Sequence, residues 1–146
     1  MSRTVHVATE GVRIPLARDR VASLAEGVLR AERVHDATVS VAFVTDRRIA
    51  ALNREHLGHS GPTDVISFGF EAAPRAPRGG DVYISADVAR RNARAHGASV
   101  REEILRLVVH GVLHVLGYDH PEDDARYASR MWKRQETLLG RALALA

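Results

Sequence analysis

The chain contains no cysteine among its 146 residues. Disulfide scaffolds, thiolate zinc sites and cysteine nucleophiles are therefore excluded. Aromatic residues are scarce, at 5% of the sequence, so we expect no interleaved aromatic platform for single-stranded bases. Long apolar runs are missing too: the most apolar stretch is interrupted by His110 and His114, far short of the roughly eighteen residues of a membrane span. We therefore expect no membrane association.

The remaining composition is that of an ordinary globular protein. Apolar residues make up 45% and charged residues 27% of the chain, which excludes intrinsic disorder. The length suits one domain, and we expect residues 1–146 to form it. Residues 1–6 lack the charged-then-apolar layout of a secretory signal, so the expected location is the cytoplasm.

Positive charge slightly exceeds negative charge. The 21 basic residues against 18 acidic ones give a net charge of +3, and every basic residue except Lys133 is an arginine. The planar guanidinium fork suits phosphate groups, so this balance favours a nucleic-acid partner. An arginine-rich genome composition would give the same balance without any ligand, and charge alone leaves both interpretations open.

Hydrophobic periodicity predicts strands that alternate with helices. Strands are expected at residues 4–8, 38–44, 64–70 and 81–85. Helices are expected at residues 16–33, 46–57 (with Thr45 as N-cap), 86–95, 100–116 and 122–139. A proline- and glycine-rich loop at residues 72–80 separates the last two strands. This order predicts an α/β fold of the α+β type, a small mixed sheet packed with helices, whose strand order the sequence does not reveal.

The most informative segment is a helix with two histidines. His110 and His114 are four residues apart, which places both imidazoles on one helical face, one turn apart. Ser99 and Glu102 have the spacing of a capping box at the start of this helix. The helix is otherwise apolar near the histidines, so it should be buried, and buried imidazoles without partners cost free energy. A shared metal ion removes that cost.

A third histidine follows a glycine turn. Gly117 can adopt the left-handed conformation that ends a helix, which lets the chain bring His120 back towards His110 and His114. Three neutral histidines with one open coordination position are typical of a catalytic zinc site. We therefore predict one zinc ion bound by these three histidines, although copper or nickel would also be held. The alternative is that the histidines are core residues bonded to backbone carbonyls.

The residue after the first histidine separates two chemistries. The histidine spacing matches the metal-binding frame of metzincin-type proteases, which carry a glutamate at this position as the general base. This chain has Gly111 instead, so peptide hydrolysis would lack its base. A metal can still activate water and polarise a phosphoryl oxygen, so phosphodiester hydrolysis is favoured. A peptidase with an unusual base stays as an alternative.

The same segment resembles the signature of a known family. Residues 110–120, HGVLHVLGYDH, resemble the HGxLHLxGYDH motif of the YbeY family of zinc-dependent bacterial endoribonucleases. The LN pair at residues 52–53 with PTDVISF at 62–68, and GDVYIS at 80–85, resemble further family segments in the same order. The first block is the most specific, and the other two support it.

The resemblance implies both a function and a site. It implies a zinc-dependent, single-strand-directed endoribonuclease that matures ribosomal RNA, notably the 3′ end of 16S rRNA, and acts in cytoplasmic ribosome quality control. Its metal ligands would be His110, His114 and His120, beside a groove lined by the strand at residues 63–68. Expected partners are ribosomal RNA, the small ribosomal subunit and ribosome-associated proteins. A non-catalytic ribosome-assembly factor with a structural metal is the remaining alternative.

One departure from the family pattern concerns contacts with RNA. Many members carry an arginine and a lysine where this chain has Leu57 and His59. Neither residue is a permanent cation, because histidine is only partly charged at neutral pH. We expect Arg54, Arg47 or Arg48 to substitute from the same helix, or the protein to handle its substrate differently.

Other polar residues each have two interpretations. Asp119 could accept a hydrogen bond from a ligand imidazole or from water on the metal, or it could cap a helix beginning near residues 121–122, which capping preferences favour. Arg90 and Arg94 could guide RNA to the metal or form a solvated helix face. The same pair of interpretations applies to their neighbours Arg91, His96 and Arg101 and to the loop residues Arg75 and Arg78.

The final helix is predicted to have one solvent face and one buried face. The expected solvent face comprises Arg126, Arg130, Lys133 and Arg134. The expected buried face comprises Tyr127, Met131 and Leu138.

Overall fold

A four-stranded mixed sheet organises the described part of the chain, a computed structural model covering residues 2–70, 78–120 and 124–144. Its strands are β1 (Arg3–Thr9), β2 (Ala37–Val44), β3 (Val65–Gly69) and β4 (Arg78–Ser85). They lie in the order β1–β2–β4–β3. Strands β1, β2 and β4 run parallel, and β3 runs antiparallel to β4.

Five α-helices accompany these strands within the described ranges. They are α1 (Arg18–Ala31), α2 (Asp46–Leu52), α3 (Ala86–His96), α4 (Val100–Val115) and α5 (Arg130–Ala144). Helix α4 is central, because it packs against β3, β4, α1, α3 and α5. The predicted fold class, a small mixed sheet packed with helices, is confirmed.

Apolar residues from α1, the parallel strands, α4 and α5 form the main core. Helix α4 contributes Ile104, Val108 and Val112, each with no exposed surface. Because side chains alternate between the two faces of a sheet, a smaller cluster forms on the other face under α2, around Val44 and Ile49. None of the helices in the described ranges is long and apolar enough to cross a membrane.

The second predicted helix, at residues 46–57, is correct only in its first half. Thr45 caps α2 as predicted, since its hydroxyl accepts a hydrogen bond from the Arg48 N–H at 3.1 Å. After Leu52 the chain continues as a π-helical turn, Asn53–Leu57. The buried Asn53 amide donates to the Gly61 carbonyl at 2.9 Å, which holds the following loop against the turn. Such π-helical turns are frequent at functional sites.

Strand β4 begins inside the segment predicted to be a loop. The prediction of a loop at residues 72–80 is wrong for residues 78–80, which pair with β2 and β3, and residues 72–77 lie outside the described ranges. Two glycines that suggested a loop are needed for close strand packing. A Cβ atom on Gly79 would overlap with the Thr38 carbonyl oxygen, and one on Gly80 with the Phe68 carbonyl oxygen.

The last predicted helix, at residues 122–139, is also wrong in its first part. A 3-10 turn occupies Asp124–Ala128, and the α-helix begins at Arg130. Ser129 explains the later start, because its hydroxyl accepts a hydrogen bond from the Trp132 N–H at 3.1 Å, as N-cap residues do. The helix then runs on to Ala144. The other predicted elements agree with the structure to within two residues at each end, the usual uncertainty of helix and strand ends.

Candidate metal centre

Helix α4 and the turn after it position three histidines. The helix starts at the predicted Ser99 cap, whose hydroxyl accepts a hydrogen bond from the Glu102 N–H at 3.0 Å. At its other end the Arg78 guanidinium donates to the Leu116 carbonyl at 2.8 Å, satisfying a carbonyl that has no partner within the helix. Gly117 then takes the predicted positive φ, 101°. The chain reverses there and returns His120 to the helix face.

The three imidazoles face one another at the edge of the core. The ring centroids of His110 and His114 are 4.7 Å apart, and each is 5.0 Å from the centroid of His120. Each ring offers a nitrogen, and these nitrogens all lie within 4.8 Å of one another. The structure therefore brings together the three residues that the sequence singled out, each of them half-buried.

Burial keeps the two helical imidazoles neutral. It lowers the pKa of His110 to about 4, with the positive charges of His114, His120 and Arg126 acting in the same direction. Burial also lowers the pKa of His114, again assisted by His120. Imidazole binds a metal through its neutral form, so at neutral pH these two rings are ready for an ion.

Gln135 on α5 fixes the proton of His110. The Nδ1 atom of His110 lies 2.7 Å from Oε1 of Gln135, and the Gln135 amide nitrogen donates to the Glu136 carboxylate at 3.1 Å. Because the amide nitrogen is engaged by a carboxylate, the oxygen must face His110, and an oxygen acceptor requires a proton on Nδ1. The lone pair of Nε2 is then available for a metal, the arrangement that hydrogen-bonded histidine ligands adopt.

Glu136 belongs to an ion-pair network that anchors this contact. The Arg106 guanidinium contacts Glu136 at 3.1 Å, Glu103 at 3.3 Å and Glu102 at 3.4 Å. Burial raises the pKa of the Glu103 carboxyl, although the charge of Arg106 opposes the rise. The network joins α4 to α5, so it sets where Gln135 stands relative to His110.

Sequence reasoning did not identify Gln135 as a site residue. It is buried, with 1% of its surface exposed, and it lies four residues after Met131 on the apolar side of α5. A polar residue within the apolar stripe of an amphipathic helix needs a hydrogen-bond partner. The position of Gln135 on the apolar face therefore indicates that it has a hydrogen-bond partner, but the sequence does not show that the partner is His110.

We expect Gln135→Leu to weaken metal binding by roughly 10- to 100-fold, the usual loss when a hydrogen-bond partner of a ligand histidine is removed. Leucine fills a similar volume but leaves the His110 proton without an acceptor. The measurement is a competitive titration of zinc against a chromogenic chelator. Gln135→Glu, which keeps an acceptor oxygen, should retain most of the affinity. Equal affinity in wild type and Gln135→Leu would contradict the role assigned to this contact.

The lowered pKa of His110 also predicts a pH dependence of stability in the metal-free protein. In the unfolded state this histidine takes up a proton near its ordinary pKa of 6.5, whereas in the folded state it resists protonation until about pH 4. Stability is therefore fully present above pH 6.5 and falls as the pH drops from 6.5 towards 4, by roughly 2 kcal/mol at pH 5. Denaturant unfolding at pH 7.5 and pH 5 measures this loss. His110→Gln, which cannot titrate, should show a smaller difference between the two pH values.

An open groove of about 1030 Å³ runs past the histidines. Residues 63–67, at the start of β3 and just before it, line one side, as the family resemblance implied. Leu57 and His59 also line it, so the two positions that depart from the family pattern do face the groove. The other side is formed by the 3-10 turn and α5, through Arg126, Tyr127 and Trp132.

The arginines predicted to contact RNA lie elsewhere. None of Arg54, Arg90 and Arg94 lines the groove. The Arg90 guanidinium donates to the Arg13 carbonyl at 2.5 Å and contacts Asp87 at 3.4 Å. A contact of these three arginines with RNA stays a prediction, and any such contact would lie outside the groove.

Asp119 and the basic face of α5 also have defined positions. The Asp119 carboxylate accepts a hydrogen bond from the His120 N–H at 2.8 Å; the helix start that it was expected to cap falls at residues outside the described ranges. Met131 and Leu138 are buried as predicted. The prediction that Tyr127 is buried is wrong, because 48% of its surface is exposed.

The expected solvent face of α5 is only partly solvated. Arg130 and Lys133 are exposed as predicted. Arg134 instead pairs with Glu32, the residue that follows α1, at 2.9 Å, and Arg126 lines the groove. The prediction is therefore wrong for Arg134 and Arg126: both are only partly exposed, because Arg134 forms an ion pair and Arg126 packs in the wall of the groove.

A side chain at Gly111 would be directed at strands β3 and β4. A Cβ atom built there would overlap with one methyl group of Val82 and lie 3.2 Å from the other. The Ser67 hydroxyl also donates to the Gly111 carbonyl at 3.1 Å. The helix thus approaches β3 and β4 so closely that the glutamate of a peptidase has no space at this position.

The donor set fits a metal ion. Three imidazoles converge, two of them are held neutral by burial, and the second nitrogen of His110 is engaged by an acceptor. The fold and this geometry define an α/β protein with a candidate three-histidine metal centre at the edge of an open groove.

The chain belongs to the endoribonuclease YbeY family, which matches residues 6–142. The endoribonuclease YbeY of Anaeromyxobacter sp. (strain Fw109-5) is 43% identical over 145 residues, covering 96% of this chain and 76% of that protein. The endoribonuclease YbeY of Pelotomaculum thermopropionicum is 42% identical over 124 residues, covering 80% of each chain. The solution structure of TM1509 from Thermotoga maritima superposes with a TM-score of 0.65 at 26% identity, covering 97% of this chain and 90% of that one.

Proposed function

We propose that the chain is a zinc-dependent endoribonuclease that cleaves single-stranded regions of ribosomal RNA. Proteins of its family are named endoribonucleases, and the chain is accordingly a hydrolase that acts on RNA phosphodiester bonds. The observation that carries the proposal within this chain is the group of three converging histidines beside an open groove. An open groove, unlike a closed pocket, admits a polymer that continues in both directions.

His110, His114 and His120 are the proposed metal ligands. Zinc suits an all-imidazole set that leaves one position open for chemistry. The bound ion supplies Lewis-acid chemistry, lowering the pKa of water and polarising a phosphoryl oxygen. Gln135 holds the His110 ring in the tautomer that presents Nε2, and the RNA backbone would lie in the groove beside β3.

Asp119 is the proposed positioning residue next to the last ligand. One carboxylate oxygen accepts the His120 N–H, which fixes the direction of the turn that carries the His120 ring. The other oxygen can accept a hydrogen bond from water or from the RNA 2′-hydroxyl group. We assign none of the carboxylates that line the groove to proton transfer: Glu102 and Glu103 pair with Arg106, and the Asp64 carboxylate accepts the Val65 N–H at 2.8 Å.

The proposed biological setting follows the family resemblance. Residues 1–146 would act as one domain in the cytoplasm, on the 3′ end of 16S rRNA within or near the small ribosomal subunit, and in ribosome quality control. Ribosome-associated proteins would be its further partners. Arg54, Arg90 and Arg94 would contact RNA beyond the groove, because they do not line it.

The two alternatives have less support. A peptidase needs a base beside the first histidine, and the sheet leaves no space for one at Gly111. A structural metal in an assembly factor would normally be closed by four protein ligands, whereas the described residues bring three together.

A substrate comparison tests the proposal. The zinc-loaded protein is incubated with a 3′-extended 16S rRNA fragment, a fully double-stranded RNA of equal length and an unfolded protein. We expect internal cleavage of the first, much slower cleavage of the second and none of the third. Degradation of the unfolded protein would support the peptidase. RNA binding without cleavage of isolated RNA or of immature small subunits would support the assembly factor.

A further inference from the structure

An aromatic pair stands on the α5 side of the groove. The rings of Tyr127 and Trp132 meet edge to face, with centroids 4.8 Å apart and planes at 83°. Both residues line the same groove as the three histidines. Tyr127 is 48% exposed, although burying a ring of this size is favourable. Because the Trp132 ring holds the exposed Tyr127 ring in place, a planar group such as a nucleic-acid base can stack on the aromatic pair.

The residue before this pair is a cation with an unmet hydrogen bond. The Nε atom of Arg126 is buried and has no hydrogen-bond partner, which is uncommon in folded proteins. Its guanidinium carbon lies 5.2 Å from the centroid of the Tyr127 ring. Turning this guanidinium onto an anionic oxygen would supply the acceptor that Nε lacks, and arginine binds phosphate through two such donors.

Arg126 is also the groove cation available to an anion. Among the residues that line the described groove, the arginines are Arg106 and Arg126. Arg106 already contacts three carboxylates, so its charge is neutralised. The facing positions Leu57 and His59 supply no permanent charge. Apart from the proposed metal centre, the α5 side of the groove is therefore where a phosphate meets a permanent cation.

We propose that Arg126, Tyr127 and Trp132 form a nucleotide subsite, in which Arg126 binds an RNA phosphate and the aromatic pair stacks the adjoining base. This proposal rests on the proposed function, because it places the substrate strand in the groove beside the histidines. Every base has a flat π-face, so stacking accepts any sequence. Stacking also requires an unpaired base, which gives a physical reason for preferring single-stranded RNA.

The test uses the fluorescence of Trp132, the single tryptophan of the chain. The zinc-loaded protein is titrated with a 2′-O-methylated uridine hexamer, which resists cleavage, and with the same sugar–phosphate hexamer without bases. We expect the uridine hexamer to quench the fluorescence and to bind about tenfold more tightly than the base-free hexamer. The base-free ligand keeps the phosphates, so the difference between the two measures the contribution of the bases.

Variants separate the two contacts. Tyr127→Ala should remove most of the difference between the two ligands, and Tyr127→Phe, which keeps the ring, should retain it. Arg126→Gln should weaken both ligands alike and reduce the slope of log Kd against log salt by about 0.7, the value for one phosphate of a single strand. Lys133→Gln on α5 removes the same charge away from the groove, and should change Kd by less than about twofold at 0.15 M salt because distant charges are screened.

The possible outcomes test the proposed subsite and the proposed function separately. RNA cleavage by wild type is measured alongside. If wild type cleaves RNA while neither fluorescence nor ligand preference depends on the base, the subsite is wrong and the proposed function stands. If base-dependent quenching is seen without any cleavage, the subsite stands and the proposed function fails. Should Tyr127→Ala fail to fold, the base-free ligand still decides in wild type whether binding and the quenching of Trp132 depend on the bases.

Discussion

Replacing His114 by alanine is expected to lower RNA cleavage by at least roughly a hundredfold. Loss of a hydrogen-bond partner of a ligand already costs about 10- to 100-fold in metal affinity or activity, and loss of the ligand itself should cost more. The ring centroid of His114 lies 4.7 Å from that of His110 and 5.0 Å from that of His120, so its loss leaves two of the three proposed ligands. The measurements are the initial cleavage rate on a 3′-extended 16S rRNA fragment and the zinc content per chain.

Two controls make that loss interpretable. His35→Ala removes an exposed histidine near Arg3, far along the sequence from the site, and should leave both rate and zinc content unchanged. Chelation of wild type should reproduce the loss, and added zinc should reverse it. Cleavage that survives both the substitution and chelation would come from another nuclease and would remove the support for this metal centre.

Gly111→Ala is expected to destabilise the protein by up to about 2 kcal/mol, although alanine normally stabilises a helix by about 1 kcal/mol relative to glycine. The added methyl group would overlap with Val82, which has no exposed surface, and overpacking a core costs about 1–3 kcal/mol. Denaturant unfolding measures the change. Gly111→Glu would add a buried carboxylate to the same overlap and should prevent folding rather than create a peptidase.

Gly27→Ala provides a matched comparison within the same protein. Gly27 also lies inside a helix, α1, but no atom approaches the position of its added Cβ within 4 Å. It should therefore stabilise the protein by about 0.5–1 kcal/mol. The double variant Gly111→Ala with Val82→Ala should lose less than the two single changes together predict. A stabilising Gly111→Ala would show that α4 and the sheet are not packed as described.

The parts of the site that the sequence predicted are local in the chain. His110, His114 and His120 lie within eleven residues, and helical periodicity with one glycine turn is enough to bring them together. Gly117 required a positive φ, and the structure shows it. The helical spacing, the turn at Gly117 and the cap at Ser99 each depend on residues that are close in the chain. They can therefore be predicted from the sequence without knowledge of the fold.

The parts that the sequence did not predict depend on distant contacts. Gln135 reaches His110 across 25 positions, and no periodicity indicates that pairing. Gly79 and Gly80 suggested a loop, because the close approach of β2 and β3 that requires glycine is visible only in the folded sheet. Tyr127 was expected on the buried face of a continuous helix, but the 3-10 turn before Ser129 places it at the groove.

The three histidines also determine how metal and folding are related. His110 and His120 are ten residues apart in the chain, so an ion joining them closes only a short loop and removes little entropy from the unfolded chain. The main apolar core is formed by residues of α1, the parallel strands, α4 and α5, and the three imidazoles lie at its edge, each of them half-buried. We therefore expect the apoprotein to fold without a metal ion, and a bound ion to be exchangeable in the folded protein. Which metal the site takes would then depend on the affinity of three imidazoles for each ion and on the free concentration of that ion.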